Sequence, residues 1–123
     1  MNLTLAERTF VDITVEYTAL LTLTDGFFIR IGSPFTLSTA DTVTSLTPEQ
    51  DSIERFSPLL ALIGDSIRRA QVADGGMLKV HFSSGARIDV RPDPPYEAWV
   101  VAGPDGYLVV CLPSGKLAVW SGD

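Results

Sequence analysis

The 123-residue sequence has one cysteine, Cys111, and one histidine, His81. A lone cysteine forms no internal disulfide, so a reduced, cytoplasmic setting is expected. A lone histidine excludes metal sites built on two or three imidazoles. Basic residues are also scarce: nine Lys and Arg against fifteen Asp and Glu leave a formal charge of −6. Binding to a phosphate backbone rests on Lys and Arg, so nucleic acid is not an expected partner, whereas a basic protein is. No apolar run approaches the roughly 18 residues that cross a bilayer, and Met1 to Arg8 lacks the basic stretch and apolar core of a secretory leader. No membrane association is expected. The glycine-containing turns lack the lysine of a phosphate-binding loop, and none joins a strand to a helix in the dinucleotide-binding pattern.

What the sequence does hold is a repeat. Residues 9–31 reappear 59 positions later as residues 68–90, with Ile13, Ala19, Leu21, Leu23, Gly26, Ile29 and Ile31 falling on Val72, Leu78, Val80, Phe82, Gly85, Ile88 and Val90. The apolar residues match while the polar ones between them differ, so the repeated feature is core. Alternation in Phe10 to Val15, Ala19 to Thr24, Met77 to Phe82 and Ala86 to Val90 reads as strands, with Asp25-Gly26 and Asp74-Gly75-Gly76 as hairpin turns. The fold class predicted is mainly β: a small antiparallel barrel, or two packed β-meanders arising from an internal duplication, with one or two short helices between the copies. A single domain is expected over residues 1–123. The 46% hydrophobic content allows either a large core or a face buried against a partner.

Between the copies, residues 48–63 read as a helical connector. Thr47 can cap, Pro48 suits a first helical position, Gln50 completes a capping box, and Ile53, Phe56, Leu60 and Ile63 recur at helical spacing. Ser57-Pro58 kinks this segment or starts a second helix, and Gly64 ends it. Residues 33–46 are either a surface loop or a short extra strand around Phe35 to Leu37. Further strands are expected over about residues 96–120.

Arg91-Pro92-Asp93-Pro94-Pro95-Tyr96-Glu97-Ala98-Trp99 is the most distinctive stretch. Its three prolines stiffen the backbone and leave little entropy to lose on binding. A binding surface is therefore expected at Arg91, Asp93, Tyr96, Glu97 and Trp99, joined by Trp120. The catalytic inventory is thin. A Cys111–His81 dyad requires a core cysteine to meet an outward histidine, since His81 alternates with core residues Val80 and Phe82. Arg87 and Arg91 lie beside Asp89 and Asp93, so ion pairing on a solvated strand face accounts for those carboxylates better than acid–base chemistry does. No catalytic residue, metal ligand or cofactor is assigned.

The residues from Val90 to Trp99, with Gly103-Pro104, Val110-Cys111-Leu112-Pro113-Ser114-Gly115 and Ala118-Val119-Trp120, resemble an uncharacterised family of small actinobacterial domains. The resemblance also takes in the leucine-rich segment Leu59 to Gly64, and Ser114 stands where a glycine is expected. It implies a fold and no activity. The functional expectation is a non-enzymatic, cytoplasmic protein-binding domain, one concrete version being an immunity- or antitoxin-like inhibitor of a basic partner. The alternatives are a self-associating assembly protein, homodimeric through exposed sheet edges or the apolar helix face, and a small carboxylate-dependent hydrolase using Asp93 and Glu97.

Overall fold

A computed structural model describes residues 1–121. Its elements in chain order are β1 (Phe10–Val15), β2 (Ala19–Leu23), β3 (Phe28–Ile31), β4 (Phe35–Ser38), β5 (Val43–Leu46), the short helix α1 (Ser57–Leu60), β6 (Ile67–Ala73), β7 (Met77–Phe82), β8 (Arg87–Val90), β9 (Trp99–Ala102), β10 (Tyr107–Cys111) and β11 (Leu117–Ser121). The strands form two antiparallel sheets, one in the order β1-β2-β3-β9-β10-β11 and the other β5-β4-β8-β7-β6. Among the described residues, no helix is long and apolar enough to cross a membrane.

The two matched segments occupy corresponding places. Residues 9–31 supply the meander β1-β2-β3 of the six-stranded sheet, and residues 68–90 lie within the meander β6-β7-β8 of the five-stranded sheet. The matched residues Leu21 and Val80, Ile29 and Ile88, and Ile31 and Val90 are all fully buried, in one core shared by both sheets. Side chains alternate across a strand, so a period-two apolar pattern fills one face and leaves the other outside.

The barrel alternative is corrected by the pairing. The N-terminal segment runs beside β6, with Asn2 bridging to Gln71 and Thr9 to Ser66, and these isolated bridges link the two sheets at their β1 and β6 edges. Among the described residues β5 and β11 each pair with one strand only, so the ladder does not close.

Four hairpin connections share one geometry. Asp25 and Gly26, Gly75 and Gly76, Asp105 and Gly106, and Ser114 and Gly115 all have positive φ at the two central positions, the backbone that matches the twist of paired strands. Two of these turns meet. A Cβ on Gly76 would strike the backbone of Gly115, and one on Gly115 would strike the Gly75 carbonyl oxygen. This glycine contact ties the β6–β7 turn of one sheet to the β10–β11 turn of the other.

The connector differs from its predicted form. Thr47 does not cap a helix at Pro48; its N–H donates to Asp51 Oδ2 at 2.7 Å, closing a turn. Helical residues begin only at Ile53, as a 3₁₀ turn to Phe56 that passes into α1. That change of pitch at Ser57-Pro58 resets the apolar phase. Phe56 and Leu59, three apart, enter the core, while Ile53, Leu60 and Ile63 remain exposed. Residues 33–46 form the hairpin β4–β5, which contains the extra strand anticipated at Phe35 and a second one at Val43–Leu46.

Candidate functional site

The stretch from Arg91 to Trp99 links β8 to β9, and its ends are pinned. Asp93 Oδ2 accepts from the hydroxyl of buried Ser33 at 3.0 Å, and the Asp93 carbonyl accepts from the Ser114 N–H at 3.2 Å. The Ala98 carbonyl accepts from the Gly32 N–H at 2.9 Å. Asp93 is therefore a loop fastener, half-buried and already engaged. Trp99, expected on the surface, is fully buried and pairs with Ile31. Its place in β9 sends it inward with Val101, and its indole N–H donates to the Gly76 carbonyl at 3.0 Å, beside the meeting glycines. A buried tryptophan needs such an acceptor for its polar atom, and the glycine-lined turn supplies it.

The remaining predicted residues do not converge on one patch. Tyr96 and Glu97 are exposed at the loop's crest, while Arg91 belongs to the outer face of the five-stranded sheet. Trp120 lies on the edge strand β11, opposite Leu108, in a cross-strand row with Ala102 and Phe28 on the outer face of the six-stranded sheet. Val119 is on the opposite face of the same strand, and both are about half exposed.

Tyr96 and Glu97, with Pro95, form one wall of a shallow cleft of about 510 Å³. Tyr17 and Thr18 from the β1–β2 turn, Gly32, Glu49 and Pro113 complete it. Tyr17 and Tyr96 are 81% and 64% exposed, and the lining has two carboxylates and no cation. A proline-stiffened aromatic and acidic surface offers ring faces and negative charge to a cationic side chain. Tyr17 and Glu49 were not singled out by sequence reasoning. The available signal for Tyr17 was its place in Glu16-Tyr17-Thr18, a large aromatic between two alternating strands.

A second concave region lies on the outer face of the five-stranded sheet. Cross-strand pairing puts Thr36 and Lys79 on either side of Asp89, and Ser38 and His81 on either side of Arg87, with Arg69 beyond His81. Arg91 follows Asp89 on the same face of the chain. Here the expected solvated triplet is corrected: Asp89 is buried, at 8% exposure, because its neighbours on three strands enclose it. Its Oδ2 accepts from Arg87 Nε at 2.8 Å, the ion pair anticipated on this strand, while its Oδ1 has no partner within the protein. His81 lies half-buried on this face, and its pKa is pushed below the ordinary imidazole value, first by burial and then by Arg69 and Arg87, with Asp89 opposing. A neutral imidazole follows at neutral pH.

Cys111 is buried on the inward side of β10, where its thiol contacts the Gly76 carbonyl at 3.5 Å. Burial pushes its pKa up, away from thiolate chemistry. His81 and Cys111 thus lie on the outer face of one sheet and the inner face of the other, and no dyad forms. Among the described residues, no group of three or more His, Cys, Asp and Glu side chains is arranged to hold a metal ion.

A protein-family model described as a family of unknown function, DUF6188, matches residues 1–121. No curated protein and no solved structure matches the chain.

Proposed function

The chain belongs to that family of unknown function, and we propose that it is a non-enzymatic, cytoplasmic protein-binding domain that receives a basic segment of its partner in the Tyr17–Tyr96 cleft. The observation that carries this reading is the cleft's lining: Tyr96 and Glu97 on the proline-stiffened loop face exposed Tyr17 of the β1–β2 turn and Glu49 of the connector, with no cation among them. A lysine or arginine seated over either ring gains about 0.5–1 kcal/mol, and the negative charge of the whole protein speeds the encounter. The loop's fastening at Asp93 and Ala98 limits the ordering cost of association. An immunity- or antitoxin-like inhibitor of a basic protein is the concrete version. The placement of the two matched meanders, one per sheet, also supports descent from a duplicated unit.

The test is capture of a stoichiometric partner from native cytoplasm by the folded protein, compared with a Tyr17→Ala, Tyr96→Ala, Glu97→Gln variant of unchanged stability. One basic partner, lost with the variant, is the expected result. Capture that survives the three substitutions overturns the assignment of this cleft.

A second reading, self-association, is favoured by a separate observation: Phe28, Ala102, Leu108 and Trp120 form an apolar cross-strand row on the outer face of the six-stranded sheet, ending at the open edge β11. Sheet faces of this kind bury themselves by packing on another sheet. Sedimentation at micromolar concentration separates the readings, since a dimer dispersed by Trp120→Ser and Leu108→Ser together belongs to the second.

A further inference from the structure

We propose that the concavity on the outer face of the five-stranded sheet is a binding site for a phosphorylated sugar or polyol, a phosphomonoester with a free hydroxyl near its charge. This site is independent of the tyrosine cleft and of the reading built on it.

The pocket encloses about 420 Å³ and draws on β4, β5, β7 and β8, within the size range of small-molecule sites. Three cationic side chains, Lys79, Arg87 and Arg91, line it against one carboxylate, Asp89, an excess of two positive charges. The spacing follows from the sheet. Arg87, Asp89 and Arg91 recur two residues apart along β8 and its extension, and Lys79 is the direct cross-strand neighbour of Asp89. Residues two apart on a strand are separated by about 7 Å and neighbouring strands by about 5 Å, so one phosphate can meet more than one of the three cations. In a protein of net charge −6, such a concentration of cations around a concavity is a local reversal of sign.

Asp89 decides the chemistry of the remaining ligand. Its carboxylate is more than nine-tenths buried; one oxygen is held by Arg87 and the other, Oδ1, has no partner within the protein. A buried acceptor without a donor is costly, and a bare anion placed here would meet like charge instead of relieving it. A ligand hydroxyl supplies the donor. The hydroxyls of Thr36 and Ser45 line the same pocket and can exchange hydrogen bonds with further ligand hydroxyls, while Pro34 and Met77 offer apolar contact to ring carbons. A zwitterionic amino acid would also give Asp89 a donor, but it is neutral overall and leaves the excess of two positive charges unmatched. A phosphomonoester carries close to two negative charges at neutral pH.

The experiment is a titration of the ¹⁵N-labelled full chain, followed by amide chemical shifts, with glucose 6-phosphate, inorganic phosphate and glucose as separate probes. Saturable shifts centred on Thr36, Lys79, Asp89 and Arg91 are expected for glucose 6-phosphate. Inorganic phosphate, which brings only its own P–OH and no sugar hydroxyls for Asp89, Thr36 and Ser45 together, should bind at least about tenfold more weakly, and glucose, which lacks the charge that the cations match, not measurably. Exposed Arg91→Gln should weaken glucose 6-phosphate by about tenfold or more, roughly the effect of losing one charge-assisted hydrogen bond. Asp89→Asn, provided that it folds, should bring the affinities for glucose 6-phosphate and phosphate together. Equal affinity of the native protein for phosphate and glucose 6-phosphate overturns the proposal in favour of a plain anion patch. So does the absence of saturable shifts up to about 10 mM probe, or binding that is unaffected by Arg91→Gln.

Discussion

Replacing Trp99 by phenylalanine separates a core role from a surface role at the residue where sequence and structure disagree most. The indole is fully buried and its N–H donates to the Gly76 carbonyl at 3.0 Å. Phenylalanine removes that hydrogen bond, a net loss of about 1 kcal/mol. The carbonyl retains the Cys111 thiol at 3.5 Å, so the full cost of an orphaned acceptor is not incurred. The smaller ring also leaves unfilled space against a core that cannot fully collapse, worth about 1–2 kcal/mol more. The sum, about 2–3 kcal/mol, is a sizeable share of the roughly 5–15 kcal/mol that holds a domain together. Urea unfolding followed by circular dichroism measures it, and the melting temperature should fall by roughly 6–15 °C. Fluorescence gives an independent readout, since Trp120, about half exposed, is then the sole tryptophan: emission should move to the red and become openly quenchable by acrylamide. A stability loss under about 0.5 kcal/mol, the range of ordinary surface substitutions, would refute the core assignment of Trp99.

Gly115→Ala should cost more than Gly85→Ala although both glycines have φ of +97°, because a Cβ at Gly115 strikes the Gly75 carbonyl oxygen whereas one at Gly85 meets nothing within 4 Å. Parallel denaturant melts should place Gly85→Ala near the 1–2 kcal/mol expected for left-handed strain alone and Gly115→Ala well beyond it; equal losses would remove the turn-to-turn contact as a stabilising feature. His81 has its folded-state pKa lowered, so the folded protein binds that proton less readily than the unfolded chain does. The stability associated with its neutral form is present above the unfolded value of about 6.5 and is lost as pH falls from there toward the folded pKa. His81→Gln should flatten the stability profile as pH falls below about 6.5, and an unchanged slope would show that other groups set it.

The sequence made the strands legible wherever one face is buried against the other sheet. Leu21, Ile29, Val80 and Ile88 alternate with residues of the outer faces such as Thr22, Arg30, Lys79 and Arg87, and turns such as Asp25-Gly26 mark where those strands reverse. The connector was less legible, since Thr47, Pro48 and Gln50 satisfy a capping pattern that the Asp51 side chain captures for a turn instead. Trp99 misled for a related reason. The prolines before it describe a rigid exposed loop, but whether the loop's last residues are surface or strand depends on where β9 begins pairing with β3, and this is a long-range contact. The tyrosine cleft was half legible: Tyr96 and Glu97 came from the chain's most distinctive stretch, while Tyr17 and Glu49 reach it from positions 79 and 48 residues away from Tyr96 and Glu97.

Net charge proved the least transferable of the sequence readings, because it averages over surfaces that the fold separates. Arg69, Lys79, Arg87 and Arg91 are four of the nine basic residues, and strand register assembles them on one outer face of one sheet. The rest of the surface is correspondingly more acidic than the total of −6 suggests. The tyrosine cleft, whose only charged lining residues are Glu49 and Glu97, belongs to that acidic remainder. Charges farther apart than about 8–10 Å are largely screened at physiological salt. A basic protein segment at the cleft and a phosphomonoester at the sheet face would therefore each respond chiefly to the charges that line its own site.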